Sequence, residues 1–155
     1  MRYAILGVVI LAAIVVWVIA RRQSPPTFPS CWDDRLATGM AVGQVENRPV
    51  LVLFHASPLS ETSRKLLNEV LTGKGREEAF AKHRYVLVHV PTSTKAPLAI
   101  VWSIQTLPTM VILDSAGQVV KRHEGYIDAS TFWNEFILPP PPASRPATRA
   151  SAPGS

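Results

Sequence analysis

Few residues in this chain can do chemistry, and their spacing narrows what that chemistry could be. Cys31 is the single cysteine. A lone thiol excludes an internal disulfide and a cysteine-based zinc site. It leaves an intermolecular disulfide or single-thiol exchange, against the plainer reading of an incidental thiol at a domain edge. His55 lies close to Ser57, Ser60 and Ser63, from which a serine nucleophile and its base could be assembled. No G-x-S-x-G elbow or oxyanion loop accompanies them, and capping and exposure in a first helical turn account for these serines. The histidines His55, His83, His89 and His123 lack i, i+4 spacing and a cysteine partner, so the sequence offers no metal site and implies no cofactor. His89 and His123 read as strand residues on a partly exposed face. Glu61 and Glu69, with Arg64 and Lys65, read as a solvated helix face carrying i, i+4 pairs.

Charge excludes another class of function. The net charge is +5, which invites a nucleic-acid reading until the charges are located. Between Trp32 and Leu138 eleven basic residues meet eleven acidic ones, and that segment is neutral. The excess is Arg2, Arg21, Arg22, Arg145 and Arg149, outside the segment that can fold. A nucleic-acid-binding domain carries its basic patch on the folded body, so no nucleic-acid partner is expected.

Those residues must be positioned by some framework. Tyr3–Ala20 is uninterrupted by charge. As a helix it spans roughly 27 Å, close to the hydrocarbon thickness of a bilayer. Trp17 and the Arg21-Arg22 pair suit an interface, so residues 1–22 read as a single-pass transmembrane anchor, with the lipid bilayer as the partner of residues 3–20. A cleaved signal peptide ending at Val18-x-Ala20 is the competing reading; the apolar run exceeds the ~7–15 residues usual there. The basic residues on the two sides nearly balance, leaning slightly toward a cytoplasmic domain. Residues 23–31 form a Pro/Ser linker, residues 32–138 a compact domain and residues 139–155 a proline-rich disordered tail.

Within the domain the periodicity alternates. Asp33 or Asp34 can cap a helix to about Val45 with Leu36, Met40 and Ala41 on one face. Val50–Phe54 is a short apolar run, as expected of a strand buried on both faces. Ser57 and Pro58 suit the cap and first position of a helix that continues through Leu59, Ser63, Leu66, Leu67, Val70 and Leu71. A helical stretch over Arg76–Lys82 leads to a strand over Tyr85–Val90, and Ala96–Ile104 looks helical. Thr109–Leu113 and Val119–His123 form a hairpin about Asp114–Gly117, and Ala129–Ile137 closes the domain as a helix. The first two long strands, joined by helix, should be parallel. The expectation is an α/β domain with a central mixed sheet flanked by helices.

Two stretches carry a family resemblance. RPVLVLFHASPLSETSRKLLNEVL (Arg48–Leu71) resembles the segment KPVLLYFTGSDWCxxCKKLEKEVF of thioredoxin-like proteins, many of them secreted or membrane-tethered in bacteria. IQTLPTMVILDSAGQVVKRHEGYIDASTFWNEF (Ile104–Phe136) is similar to their second half, with a Thr-Pro-like step, a glycine hairpin, Gly-Tyr and a closing helix. The resemblance implies a thioredoxin-like fold preceded by the transmembrane helix, and an extracytoplasmic domain. It also sets Ser60 and Ser63 where the two redox cysteines belong, Leu59 where a tryptophan is usual, and Leu53 near the place of a buried acid. A thioredoxin works because one thiolate attacks a disulfide and a second thiol resolves the product; serine does neither. What the resemblance leaves is a cis Leu107-Pro108 peptide facing the motif position, with Leu59, Ser60, Leu107 and Pro108 beside a groove able to pair with an extended peptide. Three readings follow. One is a redox-inactive, membrane-anchored module that binds a protein or peptide as an accessory or assembly subunit. The second is a thiol-disulfide oxidoreductase using Cys31 or a partner thiol, and the third a structural anchor or spacer.

Overall fold

A computed structural model describes residues 28–137. The anchor, linker residues 23–27, Leu138 and the tail lie outside the described residues. Among those described, no helix is long and apolar enough to cross a membrane. The elements run β1 (Trp32–Asp33), α1 (Leu36–Val45), β2 (Val50–His55), α2 (Glu61–Leu66), α3 (Arg76–Lys82), β3 (Val86–Pro91), α4 (Pro97–Val101), β4 (Thr109–Leu113), β5 (Val119–Glu124) and α5 (Ala129–Thr131). Helices α2 and α5 each continue into a wider π-type turn, Leu67–Leu71 and Phe132–Phe136. The sheet order is β1-β3-β2-β4-β5. Strand β2 is parallel to β3 and antiparallel to β4, and the β4–β5 pair is an antiparallel hairpin. The fold is thus the mixed sheet flanked by helices that the periodicity implies.

Strand β2 sits at the centre because its sequence is apolar on both faces, and every residue from Val50 to His55 is buried. Leu51 and Leu53 pack with Leu66, Leu67, Val70 and Phe132 on one face. Val50, Val52 and Phe54 join Val88, Val111, Leu36 and Met40 on the other. Two cores on opposite faces of one sheet result, as side-chain alternation along a strand requires.

Several boundaries differ from the sequence expectation. Neither Asp33 nor Asp34 caps α1, whose cap position is Arg35 with no side-chain bond; Asp33 lies in β1, a strand too short to show in the pattern, and its Oδ1 accepts a hydrogen bond from the Arg35 N–H at 2.7 Å. Ala41 is exposed; the buried face of α1 is made by Gly39 and Gly43. Helix α2 starts at Glu61 rather than at Pro58, with Ser60 as its cap, and the Ser57-Pro58 peptide before it is cis. Helix α4 stops at Val101 because the Arg122 guanidinium donates to the carbonyls of Trp102 and Ser103, at 2.6 and 3.0 Å, and Ser103 turns left-handed with φ 53°. The folded unit also begins earlier than Trp32, since Phe28 packs on the core. The face of α2 carries no ion pair among the described residues: Glu69 accepts from the Tyr126 hydroxyl at 2.7 Å, and the Lys65 ammonium lies 4.6 Å from that ring's centre. The hairpin holds as expected, with Asp114 Oδ1 accepting from Ala116 and Gln118 N–H groups and Gly117 at φ 79°.

The two glycines of α1 bring the helix unusually near the sheet. A Cβ on Gly39 would overlap Val88 Cγ2, and one on Gly43 would overlap Val50 Cγ2. Both valines are buried and cannot swing clear. Overpacking of this kind costs typically about 1–3 kcal/mol. Gly39→Ala is therefore expected to lower the unfolding free energy by an amount in that range in guanidinium denaturation. Ala41→Ser, two residues on and exposed, should stay within about 0.5 kcal/mol.

Candidate functional site

The register of the central strands decides which loops meet. Phe54 pairs with Thr109 in the antiparallel β2–β4 ladder, so one step further sets Pro108 level with His55. From His55 the chain runs directly through Ala56 to Ser60 and into α2. The end of β2, the start of α2 and the turn before β4 therefore converge at one end of the sheet.

At the start of α2 the two serines named from the sequence come together. Ser60 Oγ and Ser63 Oγ are hydrogen-bonded at 2.8 Å, and Ser60 Oγ also accepts from the Ser63 N–H at 3.2 Å. Ser63 is fully buried and Ser60 half-buried. Each hydroxyl thus has a partner, and the arrangement is that of a helix cap with one extra bond. A hydroxyl pair cannot form a disulfide and does not ionise near neutral pH, so it supplies neither the attacking nor the resolving group of thiol exchange.

No serine nucleophile is activated here either. A carbonyl only accepts, so His55 Nδ1 carries the proton it donates to Ala56 O at 2.9 Å. The other nitrogen, Nε2, then accepts from His89 Nδ1–H at 3.2 Å. Both ring nitrogens are occupied away from the serines. Phe28 covers this pair, parallel to His89 at 3.9 Å between ring centres and at 5.0 Å from His55. Burial holds both imidazoles below the usual histidine range; for His89 the His55 ring adds to the effect and Asp34 and Asp33 oppose it. Sequence reasoning missed this pair. The rings meet because His89 is registered with Leu53, two residues before His55 and on the same face, and that register has no signature in either strand alone.

The Leu107-Pro108 peptide is cis and Pro108 is buried, its carbonyl accepting from the Gly125 N–H at 2.7 Å. Thr109, also buried, closes the turn by donating to Thr106 O at 2.6 Å. Among the described residues no hydrogen bond engages the N–H or C=O of Leu107. Leu59 packs against the core beneath α2, whereas Leu107 packs against the core on the opposite face. The two leucines named as groove residues therefore straddle the end of the sheet.

Cys31 belongs to a different region. It is exposed and borders a hollow of about 660 Å³ beside β1, with Asp33, Arg48, Glu77 and Tyr85; Ser60 and Ser63 do not line it. Burial and then the Glu77 charge push its thiol upward, which lowers the thiolate fraction near neutral pH. Among the described residues no cluster of His, Cys, Asp and Glu could hold a metal ion.

Comparison with known proteins agrees with this geometry. No curated protein sequence matches the chain. The solved thioredoxin of Thermus thermophilus is similar at 23% identity with a TM-score of 0.51, covering 65% of this chain and 79% of its own. The oxidised C-terminal domain of DsbD from Neisseria meningitidis is similar at 15% identity and a TM-score of 0.52, covering 68% of this chain and 96% of that one. At such identities the likeness speaks to the fold alone. A family model for the thioredoxin-like domain matches residues 36–136, from the first residue of α1 to the last turn of the closing helix. This chain belongs to the thioredoxin-like domain family.

Proposed function

We propose that this chain is a membrane-anchored, redox-inactive thioredoxin-fold module that binds an extended segment of a protein partner. The observation that carries the reading is the Ser60–Ser63 hydroxyl pair at 2.8 Å, which occupies the start of α2 with groups that cannot exchange disulfides. The turn beside it supports binding: Leu107 offers a backbone N–H and C=O without partners among the described residues, next to the buried Pro108. An extended peptide uses such groups by strand-like pairing. The apolar run Tyr3–Ala20 supports anchoring, with the domain held off the bilayer by the linker. In this reading the domain is extracytoplasmic, and the partner is an element of a membrane complex.

Two outcomes are expected. First, the full chain in detergent should show no turnover in disulfide reduction and no mixed disulfide with a thiol-reactive substrate, and Cys31→Ser should behave as the wild type does. Turnover that disappears with Cys31 would overturn the reading and make the chain an oxidoreductase with a relocated thiol. Second, Leu107→Asp should weaken binding to a bound extended peptide by about tenfold or more, about 1.4 kcal/mol, in fluorescence anisotropy against a peptide library. Its far-UV circular dichroism should be unchanged. Equal affinity in wild type and Leu107→Asp would remove this face from the proposal.

A further inference from the structure

The His55–His89 pair takes no part in the reading above, yet it is built with care. His55 is a buried polar residue at the end of the fully buried strand β2, and Phe28 lies flat on its partner, the two planes 2° apart. Phe28 comes from the segment preceding the domain. It reaches over the sheet end, and the turn behind it is closed by Trp32 N–H donating to Pro29 O at 3.0 Å. The stacked rings, together with the contact of Phe28 on buried Trp32 at 5.7 Å between ring centres, attach the chain segment before β1 to the end of the sheet that carries Ser60 and Pro108.

The hydrogen bonds set how many protons this attachment can hold. With both rings neutral, His89 Nδ1–H points at the lone pair of His55 Nε2, while His55 Nδ1–H is committed to Ala56 O. One added proton fits on the outer nitrogen of His89 and leaves that bond intact. A second must go to His55 Nε2, where an N–H would face an N–H between two cations at hydrogen-bonding distance. No rearrangement within the pair avoids this, because the Ala56 carbonyl can only accept. The charged groups facing the pair lie on the β1 side: Asp33 and Asp34 act on His89, and Arg35, Arg48 and Glu77 line the adjoining hollow with the Cys31 thiol. From β2 and the core beneath α2 the neighbours are apolar. The acids ease the first proton on His89; neither they nor that core accommodates the second.

We propose that Phe28, His55 and His89 form a pH-gated latch, in which the neutral pair holds the segment Phe28–Cys31 on the sheet end and full protonation releases it. Both imidazoles titrate below their ordinary value of 6.5 in the latched state, so the latched state binds fewer protons than the released one. By linkage the latch is fully closed above pH 6.5 and weakens as pH falls below it. Release frees four residues, about 14 Å of added reach at full extension, and uncovers the end of the sheet.

Cys31 is exposed and is the single cysteine of the chain, so it takes a reporter without further substitution. A nitroxide attached there at alkaline pH, in the full chain in detergent micelles, reports segment mobility by electron paramagnetic resonance. The wild type should be immobile at about pH 7.5 and gain a mobile fraction at least threefold larger by about pH 5. His89→Phe keeps a ring for Phe28 to stack on and removes the second charge; it should stay immobile across that range. Phe28→Ala should be mobile throughout, matching the wild type at low pH. The latch is overturned by any of three results: no mobility gain in wild type, an equal gain in His89→Phe, or a gain that appears only where far-UV circular dichroism shows the whole domain unfolding. Should His89→Phe fail to fold, a mismatch between low-pH wild type and Phe28→Ala overturns it in the same way.

Discussion

Strand β2 has no solvent-facing side, and the rest of the domain is arranged to cover it. Its six residues are all buried, and Val50 to Phe54 alternate between two separate cores, which demands helices on both faces and paired strands on both edges. The two edges are satisfied differently: β3 joins in parallel through a helical crossover, β4 in antiparallel from a turn. That difference brings the loops together. A parallel neighbour places the ends of β2 and β3 side by side, and an antiparallel neighbour places the start of β4 there too. The serine pair, the histidine pair and Pro108 share one end of the sheet because of how β2 is covered.

Helix α1 shows how little tolerance that cover has. Its contact with the sheet is made through Gly39 and Gly43, against Val88 and Val50, so the helix backbone lies nearly on the strand side chains. Close approach of this kind packs β2 and β3 tightly without large side chains on the helix, which is why α1 has few bulky apolar residues to show for being buried.

What could be read from the chain and what could not divides along the same physical line. The unbroken apolar run VLVLF and the glycine of the Asp114–Gly117 turn are local properties, and the strand and hairpin they imply are present. The thioredoxin-like family was legible too, in the spacing of the Arg48–Leu71 and Ile104–Phe136 segments, and the family match spans both. Local rules failed where a tertiary partner decided the outcome. Ser60, not Ser57, caps α2, since the hydroxyl of Ser60 reaches both Ser63 N and Ser63 Oγ. Arg122, far along the chain, stops α4 by taking the carbonyls of Trp102 and Ser103. Trp32–Asp33 is too short for any periodicity and exists as a strand through its register with Leu87 and Val88. The histidine pair needed the β2–β3 register, which no single segment encodes.

The distribution of buried polar groups carries the last step. Among the described residues the buried polar or charged side chains are His55, Ser63 and Thr109, and the three lie at the one end of the sheet where the loops converge. Elsewhere the cores are apolar. Burying a polar group is unfavourable unless its hydrogen bonds are made. Each of the three is satisfied from within: Ser63 by Ser60, Thr109 by the Thr106 carbonyl, His55 by the Ala56 carbonyl and His89. One hydrogen bond leaves a hydroxyl with further donor or acceptor capacity, so these bonds satisfy the cost of burial without deciding what the groups do. The bonds tie together the segments that converge at that end of the sheet. Beside them the Leu107 amide and carbonyl have no hydrogen-bond partner among the described residues, and the Leu59 and Leu107 side chains are half-buried. A backbone edge without partners, flanked by half-buried apolar side chains, is the feature on which the proposed pairing with an extended chain rests.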